Sequence, residues 1–379
     1  MEIEVSVILP CLNEEETIGI CIKKANECFE KNNICGEVIV VDNGSTDSSI
    51  ERAKSEGGRV IFEKNRGYGS ALRAGMESAY GKYIVMGDAD DTYDFLEIDK
   101  FVELLRGGYD LVMGSRFKGK ILPGAMSWSH RHIGNPILSK MLNLFFHGEI
   151  SDAHCGLRAF TKEAYQKMNL RTTGMEFASE MVIHALKKNL KIGEIPIIYY
   201  PRKGESKLSS FRDAWRHIRF MLLYSPNYLF LLPASLIFLF GIILLIRLLF
   251  GPIWLFGRFW DIHVMVLSSI ITILGWQVLN LGLCAKMYAH HMGIELTSFT
   301  QKIVKMFSLE RALLLGGIIS LIGLGFSLYV FIVWGKAGFG KLAQVKTGIV
   351  SLTLIAMGIG TIFSSFLVSM LEIKYLKEE

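Results

Sequence analysis

Short apolar runs alternate with amphipathic stretches over the first 200 residues of the chain. Residues with helical spacing follow most of the runs, and the runs themselves are rich in β-branched side chains. Because they are apolar on both faces, they are typical of strands buried in a parallel sheet. The pattern predicts an α/β unit with a mostly parallel sheet and helices on both faces. The predicted strands are 5–9, 38–41, 59–62, 83–86 and 110–113, and the predicted helices are 15–29, 48–55 and 70–79.

Four longer apolar stretches follow Pro226, at about 228–250, 263–285, 312–334 and 347–371. Each is long enough to cross a hydrocarbon core about 30 Å thick, which takes about 20 residues. Charged residues such as Arg247, Lys286 and Arg311 stand near the ends of these stretches. Buried helices of a soluble core are the alternative, and the length and charge depletion argue against them. We therefore predict an all-α transmembrane domain of four helices over residues 226–379.

Residues 211–225 form a third kind of pattern, between the α/β unit of 1–210 and the first span. At helical spacing, one face would carry Phe211, Trp215, Ile218 and Leu222, and the other Arg212, Arg216 and Arg219. Such a helix suits the membrane interface, with its cations near anionic headgroups. An ordinary packing helix is the alternative.

Composition and charge narrow the class of protein. The 379 residues are 51% hydrophobic and 20% charged, which excludes a disordered or collagen-like chain. Residues 1–105 hold 11 basic and 21 acidic side chains, and residues 106–225 hold 19 and 9. Residues 1–225 therefore hold equal numbers of basic and acidic side chains, so the formal net charge of +5 belongs to the predicted membrane segment. No nucleic-acid partner is expected. The acidic half, residues 1–105, suits the binding of a cation and a nucleoside, and the basic half, residues 106–225, suits an anionic lipid.

Polar motifs follow all the predicted strands, where ligands of parallel sheets gather. They are Pro10-Cys-Leu-Asn-Glu14, Asp42-Asn-Gly-Ser-Thr-Asp47, Asn65-Arg-Gly-Tyr-Gly-Ser-Ala71, Gly87-Asp-Ala-Asp-Asp91 and Gly114-Ser-Arg116. A Walker lysine loop and a dinucleotide glycine fingerprint are both missing from the sequence. Any nucleotide is therefore bound in another way.

The pair Asp88 and Asp90 is the sharpest chemical signal. Two carboxylates in a turn that leaves a buried strand can reach one hard cation, Mg²⁺ or Mn²⁺, and bridge it to a diphosphate. A helix-capping acidic turn is the alternative, and the position among four other strand-end motifs favours the metal.

The basic half supplies cations in loops and at element ends, where arginine forks suit phosphate oxygens. A solvated surface is the alternative for any one of them, and His154 is expected to make a structural hydrogen bond. The candidates are Arg116, Arg131, Arg158, Arg202, Lys203 and Lys207.

Together these motifs resemble family-2 glycosyltransferases of the GT-A fold, and more narrowly dolichol-phosphate mannose synthases and related polyprenyl-phosphate hexosyltransferases. The resemblance covers residues 1 to about 225. It implies a nucleotide-sugar site, catalytic residues, a cation site at Asp88 and Asp90, and an acceptor-phosphate site. The implied nucleotide-sugar residues are Pro10, Asn13, Glu14, Asp42, Gly69, Asp88, Ala89 and Asp90. The implied catalytic residues are Asp88, Asp90, Arg116, Arg131 and Asp152, and the acceptor-phosphate residues are Arg116, Arg131, Arg158, Arg202, Ser206 and Lys207.

The chain departs from the family pattern at three places. Leu12 replaces a frequent aromatic residue, and Asn43 replaces a common second aspartate. Asp91-Thr92 stands where the family often has Leu-Gln, so Asp91 or the Thr92 hydroxyl would be the third protein ligand of the metal.

The resemblance implies an inverting transfer of one hexose from a GDP-mannose or UDP-glucose type donor to dolichyl or polyprenyl phosphate. The alternatives are a processive polysaccharide synthase and a lipid transporter or flippase with a nucleotide-sugar sensor. The start of the chain lacks the features of a signal peptide, so we expect a multi-pass membrane protein with its catalytic domain and both termini in the cytoplasm. Glycine pairs in the last two spans would allow a homo-oligomer.

Overall fold

The computed structural model describes residues 2–203, 210–291, 308–340 and 343–372. The chain forms two compact units, Met1–Met221 and Leu222–Glu379. The division falls inside the segment 211–225, which the sequence predicts to be an interfacial helix. Each unit has its own architecture.

The first unit is built on one seven-stranded sheet, with the strand order β3-β2-β1-β4-β6-β5-β7. All neighbours pair in parallel except β6, which is antiparallel to both β4 and β5. The sheet is therefore mostly parallel, as the sequence predicts. The strands are β1 (Val5–Cys11), β2 (Gly36–Asp42), β3 (Arg59–Phe62), β4 (Tyr83–Met86), β5 (Leu111–Ile121), β6 (Arg158–Thr161) and β7 (Ile192–Tyr199).

Helices connect the strands, and their apolar faces cover the sheet. On α1, for example, the buried positions Ile18, Cys21, Ile22 and Ala25 follow the helical period and join one core with β1 and β2. The helices of this unit are α1 (Ile18–Lys31), α2 (Ser49–Ser55), α3 (Tyr68–Ser78), α4 (Ile98–Arg106), α5 (Asn135–Phe146), α6 (Lys162–Met168), α7 (Phe177–Lys187) and α8 (Ser210–Leu223). Helix α4 follows a 3₁₀ turn at Phe95–Glu97, and α5 follows a π-helical turn at His130–Gly134.

Helix α8 is docked on the first unit by one face. His217, Phe220 and Met221 are buried, at helical spacing, while Trp215 is 54% exposed. Arg216 and Arg219 are also exposed. The buried face therefore differs from the predicted apolar face that includes Trp215, and α8 packs through residues lying between the two predicted faces.

The second unit contains four helices that are long and apolar enough to cross a membrane. They are Asn227–Leu249, Ile262–His290, Leu309–Lys336 and Val345–Met370, here called the first to fourth apolar helices. They match the four predicted spans, with bounds that differ by at most five residues. A small hairpin of Ile253–Leu255 and Arg258–Trp260 joins the first two helices.

Glycines and hydroxyl groups hold these helices together. A Cβ on Gly358 would lie 2.6 Å from the carbonyl oxygen of Gly316, so the third and fourth helices approach closely there. The second and fourth are joined by a hydrogen bond of 2.6 Å between Ser269 and Thr353. Trp276 donates to Thr361 at 2.8 Å. Such packing of small residues and side-chain hydrogen bonds is how helices associate in lipid.

Candidate active site

The carboxyl ends of β1, β2 and β4 lie side by side, because these three strands are parallel neighbours. Their loops carry Glu14, Asp42, Asp88 and Asp90 to one edge of the sheet. Arg202, which follows β7, reaches both Glu14 and Asp90. The strand-end motifs predicted from the sequence therefore meet in one place.

The loops after β1 and β2 are locked to each other. Asp42 accepts hydrogen bonds from the backbone N–H groups of Gly44 (3.1 Å) and Ser45 (3.0 Å), which forms a tight turn. Asn13, with a left-handed φ of 53°, accepts one from the N–H of Thr46 at 2.7 Å. The predicted nucleoside-side residues thus sit on a preorganised loop pair, with Pro10 at the end of β1.

Asn43 joins the loop after β3 to the pair of loops after β1 and β2. Its Nδ2 donates to the carbonyl groups of Glu63 and Asn65, both at 2.9 Å, and its Oδ1 accepts from the N–H of Gly67 at 2.7 Å. An aspartate could not donate, so the departure from the family pattern at this position has a structural role.

Gly69 is explained by packing. A Cβ at Gly69 would lie 2.5 Å from the carbonyl oxygen of Thr172, so α3 can approach the 172–174 segment only with glycine there. Gly69 therefore has a packing role, and its contact with the donor stays a prediction.

Asp88 is held in a narrow position. Its Oδ1 accepts a hydrogen bond of 3.0 Å from the Tyr68 hydroxyl, and its Oδ2 lies where a side chain on Gly156 would have to go. Burial and then the charge of Asp90 raise the pKa of Asp88 to about 7. The two carboxylates are thus close enough to repel each other, which is the arrangement that a cation would relieve.

Asp90 is 7% exposed and has partners on both oxygens. The Thr92 hydroxyl donates to Oδ1 at 2.6 Å, and Arg202 Nη1 lies 3.3 Å from Oδ2. The second terminal nitrogen of Arg202 donates to Glu14 at 2.7 Å.

Asp91 is paired with two lysines. Lys24 lies 2.7 Å from one oxygen and Lys203 lies 2.8 Å from the other. Burial alone would raise the pKa of Asp91, but the hydrogen bonds from Lys203 and Lys24 outweigh it and lower the pKa below its ordinary value. Both oxygens of Asp91 therefore have ammonium partners in this structure, and its role as third metal ligand stays a prediction. The Thr92 hydroxyl is committed to Asp90 as a donor.

Arg116 and Asp152 form a buried bidentate pair. Nε of Arg116 donates to Oδ2 of Asp152 at 2.7 Å, and Nη2 donates to Oδ1 at 2.8 Å. Asp152 is 0% exposed, so it orients Arg116 rather than touching a ligand. The prediction of Asp152 as a catalytic residue is corrected to a positioning role, since a fully enclosed carboxylate cannot reach a substrate. The guanidinium of Arg116 also stacks over the ring of Tyr199.

Arg158 is an interior residue. It is 0% exposed, and its three guanidinium nitrogens donate to the carbonyl groups of Cys155, Ala178 and Ala153 at 2.7 to 2.9 Å. The prediction that Arg158 contacts the acceptor phosphate is wrong, because all its donor groups serve the 152–158 loop and α7. His154 makes the expected structural hydrogen bond, to Ser179 at 3.3 Å.

The remaining predicted residues differ in their placement. Ala89 is buried between the two carboxylates. Arg131 is exposed on the π-helical turn, and within the described part of the chain its side chain has no contact with the carboxylates. Ser206 and Lys207 lie outside the described residues.

The oxygen ligands offered by this site fit a hard divalent cation. Asp88 and Asp90 supply carboxylate oxygens of the kind that Mg²⁺ and Mn²⁺ prefer, and burial, followed by the charge of Asp90, raises the pKa of Asp88. Within residues 2–203, 210–291, 308–340 and 343–372, no group of three His, Cys, Asp or Glu side chains could hold a metal. Two protein carboxylates plus substrate phosphates is a usual set for Mg²⁺.

Sequence reasoning did not assign three residues that shape this site. Tyr68 donates to Asp88, the Tyr93 hydroxyl oxygen accepts a hydrogen bond from the N–H of Gly156 at 2.8 Å, and Gly156 leaves room for Asp88. Tyr68 stands in a strand-end motif, which was a usable signal. Tyr93 and Gly156 have only ordinary local sequence around them.

Comparisons with known proteins place the fold and site in a family. The description "Glycosyl transferase family 2" matches residues 6–168, and "Glycosyltransferase family 2 C-terminal transmembrane region" matches residues 283–372. The low-salt glycan biosynthesis hexosyltransferase Agl6 of Haloferax volcanii is 39% identical over 97% of this chain and 88% of its own. A dolichyl-phosphate hexose transferase of the same organism is 30% identical over 55% of this chain and 88% of its own. Glucosyl-3-phosphoglycerate synthase of Mycobacterium tuberculosis aligns with a TM-score of 0.48 and 23% identity, over 58% of this chain and 79% of that one.

The two family matches and the hexosyltransferase relative define a membrane-bound glycosyltransferase with a GT-A fold. The chain belongs to glycosyltransferase family 2, because the match to the hexosyltransferase extends over almost its whole length. The predicted fold class, enzyme class and membrane location are confirmed.

Proposed function

We propose that the protein transfers one hexose from a nucleotide-sugar to dolichyl or another polyprenyl phosphate. The observation that carries the proposal is the pair Asp88 and Asp90 beside the guanidinium of Arg202, in a chain that also has four candidate membrane spans. The name of one relative, a dolichyl-phosphate hexose transferase, supports a lipid-phosphate acceptor. A donor of the GDP-mannose or UDP-glucose type is part of the proposal.

The residues of the site suit this reaction. Asn13, Glu14 and Asp42 lie on the loop pair proposed to hold the nucleoside. Asp88 and Asp90 would hold a Mg²⁺ or Mn²⁺ ion, which stabilises the negative charge of the departing nucleoside diphosphate. The cations proposed to face the lipid phosphate are Arg116, Arg131, Arg202 and Lys207, and the hydroxyl of Ser206 is proposed to join them.

The chemistry needs alignment more than a base. A phosphate monoester has a second pKa of about 6, so the lipid phosphate is already anionic at neutral pH. Its oxygen forms a bond to C1 of the hexose while the bond from C1 to the diphosphate oxygen breaks. Attack from the face opposite the leaving group inverts the anomeric configuration. Asp152 contributes by fixing the orientation of Arg116.

The test is transfer by the purified full chain in detergent with Mn²⁺, polyprenyl phosphate and a panel of labelled nucleotide-sugars. We expect one labelled single-sugar lipid, loss of transfer with a chelator, and recovery with Mn²⁺. Asp90→Asn should lower transfer by about 100-fold or more because it removes a metal carboxylate. Asp94→Asn is the matched control: Asp94 caps the turn at Phe95–Glu97, and asparagine caps equally well.

Two results would contradict the proposal. If no donor in the panel yields a labelled lipid, the reaction is wrong. If the product is a polymer, the chain is a processive polysaccharide synthase.

A further inference from the structure

Arg202 forms a bridge across the proposed cation site. Its Nη1 lies 3.3 Å from Asp90 Oδ2, and its Nη2 lies 2.7 Å from Glu14 Oε1. Glu14 belongs to the loop after β1 and Asp90 to the loop after β4. One guanidinium therefore neutralises carboxylates from two different strand ends.

Arg202 contacts Oδ2 of Asp90, which is the oxygen that Thr92 does not use. The other oxygen, Oδ1, already accepts the Thr92 hydroxyl at 2.6 Å and the Thr92 N–H at 3.2 Å. A divalent cation on Oδ1 would compete with Thr92, and one on Oδ2 would lie beside the positive charge of Arg202. Thr92 is 2% exposed and two residues away in sequence, whereas the Arg202 side chain is 23% exposed and long. The arginine is the partner that can leave.

We propose that Arg202 is the counterion that a divalent cation displaces from Asp90, and that this exchange releases the guanidinium for a phosphate. The inference rests on the proposed function, since it concerns the same cation site. A divalent cation on Oδ2 would lie beside the guanidinium, and like charges this close repel each other. Cation binding would therefore come first, and the freed arginine would then face an anionic substrate.

Within the described residues, only the ends of the Arg202 side chain hold it in place. Its Nε is buried and has no hydrogen-bond partner there. A buried donor without a partner costs free energy, which favours movement of the side chain once its two ion pairs are weakened. The neighbouring Lys203 differs, because it pairs with Asp91, whose second oxygen is held by Lys24. Lys203 is therefore a control with the same charge and nearly the same position.

The first experiment measures Mn²⁺ binding alone, by electron paramagnetic resonance, to the full chain in detergent. Arg202→Gln should bind Mn²⁺ about tenfold more tightly, which corresponds to about 1.4 kcal/mol. Lys203→Gln should change the affinity by less than about threefold, because it removes a charge from Asp91 and not from Asp90. Equal or weaker Mn²⁺ binding by Arg202→Gln would overturn the inference and leave the proposed transfer standing. If neither the unaltered chain nor Arg202→Gln binds Mn²⁺, both proposals are overturned.

The second experiment separates displacement from a change in charge alone. Phenylglyoxal modifies accessible guanidinium groups, and mass spectrometry of peptides reports each arginine separately. Modification of Arg202 should become several-fold faster with Mn²⁺ and slow again when pyrophosphate is added. Exposed Arg52 and fully buried Arg158 give the reference rates, and neither should respond to Mn²⁺. An Arg202 rate that Mn²⁺ leaves unchanged or lowers would show that the arginine stays on Asp90, and the inference would fail.

Discussion

Asp88 owes its position to a residue that has no side chain. A Cβ at Gly156 would lie 2.7 Å from Asp88 Oδ2 and 3.1 Å from the ring of Tyr93, so one of the three groups would have to move. We predict that Gly156→Ala lowers sugar transfer at least about tenfold, because the carboxylate loses its alignment. The measurement is the transfer assay together with Mn²⁺ affinity.

The matched control is Gly19→Ala on α1, where the new Cβ would meet Glu56 at an ordinary 3.4 Å. This variant should keep full activity, and alanine should stabilise the helix slightly. Both proteins should remain folded. Unaltered transfer by Gly156→Ala would mean that Asp88 tolerates displacement, which would argue against its role as a metal ligand.

At single residues, the sequence predicts chemistry better than it predicts placement. Asp88 and Asp90 were identifiable because two carboxylates at a strand end have few other uses. Arg158 was predicted to contact the acceptor phosphate and Asp152 to be catalytic, because nothing in their local sequence reveals burial. Their roles depend on carbonyl groups and an arginine 3 to 36 residues away in sequence. The pairing of Asp91 with Lys24 and Lys203 was equally invisible, since the two lysines approach it from distant segments.

The third and fourth apolar helices depend on glycine at their crossing. We predict that Gly358→Ala destabilises the second unit by about 1 to 3 kcal/mol, because its methyl group would press on the Gly316 carbonyl. Thermal unfolding in detergent, followed by tryptophan fluorescence, measures the effect. Gly317→Ala is the control, because a Cβ there would meet no atom of the other described residues within 4 Å. Equal stability of the two variants would contradict the close packing described for this crossing.

Elements with a strong period were predictable, and those fixed by tertiary pairing were not. The apolar runs of β1, β2 and β4 identify buried strands, and the four spans follow from length and hydropathy. Strand β6 has only four residues and begins with Arg158, so its sequence resembles a loop. Its antiparallel position between β4 and β5 is decided by pairing with both neighbours. The buried face of α8 was mistaken because His217 packs inward through its bond to Ser179 at 2.8 Å.

At the scale of the whole molecule, the charge of the loops predicts the side of the membrane on which each part lies. We expect the first unit in the cytoplasm and the hairpin between the first two apolar helices outside. A membrane-impermeant maleimide added to intact cells should label Arg258→Cys and not Lys64→Cys, both in a Cys35→Ser background. The other five cysteines are buried, so they contribute little labelling. The reverse labelling pattern would contradict the proposed orientation.

The position of β6 has a consequence for how the chain is made. During synthesis, residues 1–86 supply four strands that pair directly with one another, so half of the sheet can assemble early. Strand β5 then emerges without a partner, because β6 lies between β4 and β5 in the sheet and ends only at Thr161. Until that residue leaves the ribosome, β4 is an open edge next to the motif Asp88-Ala-Asp90. An unpaired edge is a template for wrong pairing, so we expect the nascent chain to be most prone to mispairing between the emergence of β4 and that of β6.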